Sequence, residues 1–163
     1  GFVQVDSVLG QGSTFTVYLP VQRFGEFSDS VVAQTMVVGG QGEKILVVED
    51  DEITRKAICA ILETFNYDTS EASDADEAIR LFEFFADEIA LVLSDMVMPS
   101  MNGDALLTQL QAKRADIRMI IITGYPFAEQ DKMSLNEGIV DWVQKPFEVE
   151  ELVKAIQVAI SMN

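Results

Sequence analysis

Histidine is absent from the 163 residues, and cysteine occurs once, at Cys59. The first absence removes Ser-His-Asp and Cys-His catalysis, most zinc sites, and any phosphohistidine carried by the chain itself. The second excludes an intrachain disulfide, and the neighbours Ile58, Ala60 and Ile61 mark Cys59 as a small buried hydrophobe in a reducing compartment. Basic residues are scarce: 11 Lys and Arg stand against 27 Asp and Glu, a net charge of −16. A chain so charged repels phosphate backbones and anionic membranes, and no basic patch offsets it, so neither nucleic acid nor direct membrane contact is expected. An acidic surface does suit divalent cations. No apolar run approaches the ~18 residues of a membrane span, and no signal-peptide pattern is present. Gly1 stands where a Met would begin a complete protein, so the sequence reads as a piece of a longer one. A cytoplasmic location is expected, in a parent that can itself be membrane-anchored.

What is present is the composition of a globular protein, 48% hydrophobic and 23% charged, with length enough for one core and some excess. Residues 1–20 alternate apolar and polar in FVQVDS and again in STFTVYLP, with LGQG between them, which predicts a β-hairpin. Residues 21–43 hold no sustained period and end in Gly39-Gly40-Gln41-Gly42, which predicts a linker. From Lys44 the pattern changes. Ile45–Val48, Ile89–Leu93 and Met119–Ile122 are short continuous apolar runs, as in parallel strands covered on both faces, while 67–71 and 141–144 are more polar and predict edge strands. Between them lie segments of helical spacing, among them Ile53, Ala57, Ala60, Ile61 and Phe65, and later Leu152, Ala155, Ile156, Ala159 and Ile160. Ser73 with Asp76 suggests a capping-box start for the second helix, and Gly138 the end of a short polar helix over 129–137. Strand and helix alternate five times over 44–163. The expected fold is α/β, a doubly wound five-stranded parallel sheet with helices on both faces, preceded by the hairpin.

The stretch Leu91–Gly103, LVLSDMVMPSMNG, carries the chemistry. An apolar strand ends on a lone acid, Asp95, and open α/β sheets bind ligands outside the carboxyl ends of their strands. Glu49-Asp50-Asp51 follows the first strand of this sheet, Thr123 the fourth and Lys145-Pro146 the fifth, all on one edge. Clustered carboxylates resist joint ionisation without a cation, and an oxygen-lined pocket with no histidine suits a hard ion such as Mg²⁺. A carboxylate can attack phosphorus if a metal, an ammonium and a hydroxyl meet the charge that develops on the phosphoryl oxygens. Taken singly these signals are weak. An acid after a strand more often starts a helix, the role expected of Asp51, and Trp142 alone could simply cover an edge strand.

The motifs ILVVEDD, SDMVMPSMNG, IIITGY and DWVQKPF, in this order over 43–162, resemble the receiver domain of two-component response regulators. The resemblance implies the flavodoxin-like strand order 2-1-3-4-5, and Asp95 as phosphoacceptor. It implies Mg²⁺ held by Glu49, Asp50, Asp95 and the backbone carbonyl of Val97, with Thr123 and Lys145 binding the phosphoryl group. Thr123 and Trp142 take the positions of the switch residues, and Lys145–Pro146 that of a cis peptide. The hairpin wording, GFVQVDS then GQGSTFTVYLP, resembles the end of the ATP-binding domain of sensor histidine kinases. Jointly these imply the receiver of a hybrid histidine kinase: residues 1–20 a remnant of the ATP-binding domain, 21–43 the linker, 44–163 the receiver.

Such a fragment takes a phosphoryl group from phosphohistidine and relays it to a histidine phosphotransfer partner, or regulates its kinase. It lacks the kinase core, binds no ATP, and catalyses at most its own phosphorylation and dephosphorylation at Asp95. With the chain ending at Asn163 after the last helix, no DNA-binding output domain is expected. Two departures stand out. Val97, apolar two residues after Asp95, and Tyr125, two after Thr123, occupy positions that influence phosphate lifetime, and Val97 predicts a long-lived phosphate. Trp142 is bulkier than the usual Tyr or Phe, which restricts its rotation. The alternative is a docking module of the kinase that is never phosphorylated. A flavin-binding or dehalogenase-type reading is weaker, because no Ser/Thr/Gly-rich loop follows a strand and Val97 stands where a second Asp would be needed. The orphan hairpin has an open edge to offer its own sheet or a second copy's, so a dimer is also among the expected states.

Overall fold

In the computed structural model, residues 1–19, 39–124 and 137–162 are described. The chain divides into two compact units, Gly1–Thr35 and Met36–Asn163. In the first, β1 (Phe2–Val8) pairs antiparallel with β2 (Gly12–Tyr18), from Phe2 opposite Tyr18 to Val8 opposite Gly12. The turn needs left-handed backbone, which glycine supplies at Gly10 (φ 77°) and Gly12 (φ 103°), and Gln11 N–H closes it onto the Val8 carbonyl at 2.9 Å. The rings of Phe2 and Tyr18 stack with centroids 4.3 Å apart.

The second unit holds β3 (Lys44–Val48), α1 (Glu52–Thr64), β4 (Asp68–Ala72), α2 (Ala75–Phe85), β5 (Ile89–Asp95), α3 (Gly103–Gln111), β6 (Met119–Thr123), β7 (Ile139–Gln144) and α4 (Val149–Ser161). The five strands are parallel in the order β4-β3-β5-β6-β7, which is the expected 2-1-3-4-5. Period two along each strand sorts the core into two layers. Ile45, Val47, Leu91, Leu93, Ile120 and Ile122 turn to one face, covered by Ile58 and Leu62 of α1 and Leu152 and Ile156 of α4. Leu46, Val48, Val92, Met119 and Ile121 turn to the other, covered by Ala78 and Phe82 of α2 and Leu106 and Leu110 of α3. The continuous apolar runs thus reflect strands with no solvent face.

Two expectations need comment. The start of α2 lies one residue beyond the Ser73/Asp76 pair: Asp74 is the cap, accepting from Glu77 N–H at 2.7 Å, and the Glu77 carboxylate returns to Ser73 N–H and Oγ–H, each at 2.8 Å. Ser and Asp cap almost equally well, so the sequence alone could not choose between adjacent candidates. Of the stretch read as a linker, residues 39–43 are hydrogen-bonded to the turn after α1 and to the start of β4. Gly40 N–H donates to Phe65 O at 2.7 Å, Gly42 N–H to Asn66 O at 3.0 Å, and Asp68 N–H to Glu43 O at 3.0 Å. A Cβ on Gly39 would lie 2.6 Å from Phe65 O, so close backbone approach requires glycine there. Residues 20–38, Tyr125 and nearly all of the expected helix over 129–137 lie outside the described residues.

Candidate functional site

Parallel register brings the strand ends to one edge. Val48 pairs with Ser94, Asp95 with Ile122, and Thr123 with Gln144, so Glu49, Asp95, Thr123 and Lys145 end or follow four adjoining strands. Backbone hydrogen bonds extend this order past the strands: Glu49 N–H donates to Ala72 O at 3.1 Å, Met96 N–H to Ile122 O at 3.1 Å, and Lys145 N–H to Thr123 O at 2.8 Å. The Lys145–Pro146 bond is cis.

Carboxylate oxygens of Glu49, Asp50 and Asp95 all lie within 4.8 Å of one another. Lys145 Nζ sits on two of these groups, 2.7 Å from Glu49 Oε2 and 2.8 Å from Asp95 Oδ2. Glu49 is 3% exposed. Burial pushes its carboxyl above the ordinary value and the nearby Asp95 charge adds to this, while the bond from Lys145 holds it back. For Lys145 burial is the largest single influence and lowers the pKa, yet the hydrogen bonds to Asp95 and Glu49 outweigh it, and the net direction is up. The lysine is therefore firmly charged. One ammonium shared among three acids leaves the pocket short of positive charge, and a set of hard oxygens with no imidazole suits a magnesium-like cation.

The remaining expected residues take these places. Val97 N–H caps Asp95 Oδ1 at 3.0 Å, and its side chain is exposed in the loop after β5. Thr123 is buried at the end of β6. Trp142 lies in β7, half-buried against the layer beneath α2 and α3, and its backbone N–H donates to Asp141 Oδ1 at 2.7 Å. Asp51 stands apart as the cap of α1, accepting from Thr54 N–H at 2.7 Å, and hydrogen bonds from Thr54 hold its carboxyl below the ordinary value. Two further residues contribute, Arg55 with no local sequence signal and Gly103 as the last residue of the SDMVMPSMNG motif. Arg55 Nη1 donates to Glu49 O at 2.7 Å. Gly103 N–H donates to Met96 O at 3.1 Å, and a Cβ on Gly103 would lie 3.1 Å from Asp95 O.

The response regulator receiver domain family model matches residues 45–157. The sensor kinase CckA of Brucella abortus is 29% identical over 168 residues, covering 96% of this chain and 17% of the relative. The C4-dicarboxylate transport transcriptional regulatory protein DctD of Rhizobium meliloti is 32% identical over 111 residues, 68% of this chain and 24% of that protein. This chain thus spans less than a third of either relative. Among solved structures, a response regulator receiver domain protein from Clostridium thermocellum superposes with TM-score 0.68 at 28% identity, over 73% of this chain and 94% of the other. The receiver domain of the hybrid histidine kinase CckA gives 0.62 at 26%, over 72% and 98%. No helix among the described residues is long and apolar enough to cross a membrane.

Proposed function

Because the chain belongs to the response regulator receiver family, we propose that it is a working phosphoacceptor, taking a phosphoryl group from phosphohistidine onto Asp95. The observation that carries the reading is the convergence of Glu49, Asp50 and Asp95 within 4.8 Å, with the Lys145 ammonium on the Asp95 carboxylate. Glu49, Asp50, Asp95 and the Val97 carbonyl are the oxygens that would hold Mg²⁺, and their hard, histidine-free chemistry fits that ion. When bound, the ion neutralises charge on the phosphoryl oxygens. A carboxylate oxygen of Asp95 attacks phosphorus, the P–N bond to the donor imidazole breaks, and the electron pair leaves with the donor nitrogen. Lys145, already charged and aimed at Asp95, meets a phosphoryl oxygen, and the Thr123 hydroxyl donates to another. The chain's own residues accelerate only this phosphorylation and the dephosphorylation of Asp95, in which water takes the phosphoryl group as inorganic phosphate.

The phosphoryl group would then pass to a histidine phosphotransfer protein, in a cytoplasmic part of a hybrid kinase. What supports the hybrid reading is the likeness to sensor kinase CckA, which runs over 96% of the chain and so takes in the N-terminal hairpin as well as the receiver. On this reading residues 1–20 are the tail of the ATP-binding domain, 21–43 the linker and 44–163 the receiver, with Thr123 and Trp142 reporting phosphorylation to the surface.

Intact-mass measurement after incubation with acetyl phosphate and Mg²⁺ tests the reading. The expected result is one adduct of about 80 Da, the mass of a phosphoryl group gained on one carboxylate, dependent on Mg²⁺ and absent from Asp95→Asn. No adduct in the parent would leave a docking module, and an adduct surviving in Asp95→Asn would place the acceptor on another carboxylate.

A further inference from the structure

Glu49 is held at three points. Its N–H bonds to Ala72 O at 3.1 Å, its carboxylate to Lys145 at 2.7 Å, and its carbonyl to Arg55 Nη1 at 2.7 Å. The third hold is not sheet geometry. Strand β3 has ended at Val48, and a guanidinium reaching back from α1 supplies the donor that a continuing ladder would have given. The same side chain ion-pairs through Nε with Glu71 Oε2 of β4 at 3.3 Å, and it is only 12% exposed. Its backbone N–H meanwhile bonds to Asp51 O at 2.9 Å, in the first turn of α1. One residue therefore fastens the end of β3, the edge strand and the first helix together, and the residues enclosed by those attachments include Glu49 and Asp50.

We propose that Arg55 is a positioning residue of the acidic site, its guanidinium clamping the Glu49 carbonyl against β4 and so fixing the turn that presents the Glu49 and Asp50 carboxylates to Asp95. The inference rests on the cluster being a divalent-cation site. A planar fork is what the task needs, because two donors on one rigid group engage a carbonyl and a carboxylate at once, which a single ammonium cannot copy. Groups that orient metal ligands from outside typically carry about 10- to 100-fold in metal affinity.

The test is calorimetric titration of the whole chain with Mg²⁺, beside thermal melts, for the parent, Arg55→Met and Glu71→Gln. Arg55→Met should bind about tenfold more weakly while still melting cooperatively. Glu71→Gln, which leaves the bond to the Glu49 carbonyl in place and an amide oxygen that still accepts from Nε, removes only the charge and should stay within about twofold of the parent, the scatter expected of a near-neutral surface change. Equal affinity of Arg55→Met and the parent overturns the proposal, as does an equal loss in both variants, since that would trace the effect to the ion pair with Glu71. Should Arg55→Met fail to fold, Arg55→Lys takes its place. It keeps the charge without the fork, and parent-like affinity in it would equally overturn the clamp. A parent that takes up no Mg²⁺ would overturn the cation-site reading and this inference with it, an outcome distinct from failure of the variants alone.

Discussion

Lys145 and Asp95, fifty residues apart in the chain, meet at 2.8 Å between Nζ and Oδ2, and the same ammonium reaches Glu49 Oε2 at 2.7 Å. Among the described residues it is the cation that stands in direct contact with the acidic cluster. Lys145→Met would strand the buried Glu49 carboxylate beside Asp95 with no counter-charge. Removing one partner of a buried pair costs several kcal/mol at most, and Glu49, whose carboxyl burial already pushes up, can relieve part of this by taking a proton. The expected loss is about 2 kcal/mol by urea unfolding at neutral pH. At one fixed Mg²⁺ concentration the loss should narrow, by about 1.4 kcal/mol for each tenfold by which the variant, freed of the competing ammonium, binds the ion more tightly than the parent. A loss that Mg²⁺ leaves unchanged would mean that the ion and the ammonium do not answer the same charge.

The capping box of α2 predicts a pH effect of definite sign. Hydrogen bonds from Ser73 N–H and Oγ–H hold the Glu77 carboxyl below its ordinary 4.5. A folded-state pKa below the unfolded one gives stability that is present above about pH 4.5 and lost as the pH falls through the folded value. The gap in melting temperature between the parent and Glu77→Gln should therefore be open at pH 6 and narrow toward pH 3. Asp74→Ala, which removes the cap itself, should cost about 1 kcal/mol at pH 7. A gap that widens on acidification would contradict the assignment of the bonds to the ionised carboxylate.

Legibility followed the range of the interactions. The three inner strands could be read because their apolar runs are continuous and end on a polar residue, the mark of a strand covered on both faces, while the two edge strands left only shorter, more polar runs and the strand order came with the resemblance to the receiver family. Glu49 and Thr123 are the first polar residues after such runs, Asp95 follows Ser94 and Lys145 follows Gln144, and all four were visible as polar residues at strand ends on one edge of the sheet. Arg55 was not. Its partners are a backbone carbonyl and Glu71, sixteen residues on, and neither leaves a periodic trace. Gly39 and Gly40 looked like linker because close packing against Phe65 and Tyr67 is a tertiary fact. The second helix start was off by one residue because Ser73 and Asp74 are both good caps, and the choice falls to the return bond from Glu77.

Cys59 should be chemically silent. It is 3% exposed in the layer beneath α1 and α4, and burial pushes its thiol up to about 11. The thiolate is the nucleophile, so at pH 8 almost none is present in the folded protein. Iodoacetamide should leave the native chain unmodified over an hour and label it fully in 8 M urea. Rapid labelling of the native protein would show that the first helix opens locally far more often than its packing implies.

Gly103 is the last point at which backbone geometry touches the site. It opens α3, capped by Asn102 through Ala105 N–H at 2.8 Å, and it packs directly beneath the end of β5. A methyl group there would sit 2.6 Å from Ile121 Cδ1 and 3.1 Å from Asp95 O. The isoleucine tip can swing aside, but the carbonyl belongs to the end of β5 and can yield only by moving Asp95. Alanine is the better helix former by up to about 1 kcal/mol, and overpacking costs about 1–3 kcal/mol. The two effects oppose, and the clash with a fixed backbone should win. Gly103→Ala is expected to lower stability by about 1 kcal/mol and, more tellingly, to slow adduct formation from acetyl phosphate severalfold. Gly103→Ala combined with Ile121→Val removes the Cδ1 contact alone. It should restore neither stability nor rate, because the contact with the Asp95 carbonyl remains. Full recovery of both would show that the glycine serves only the packing of α3.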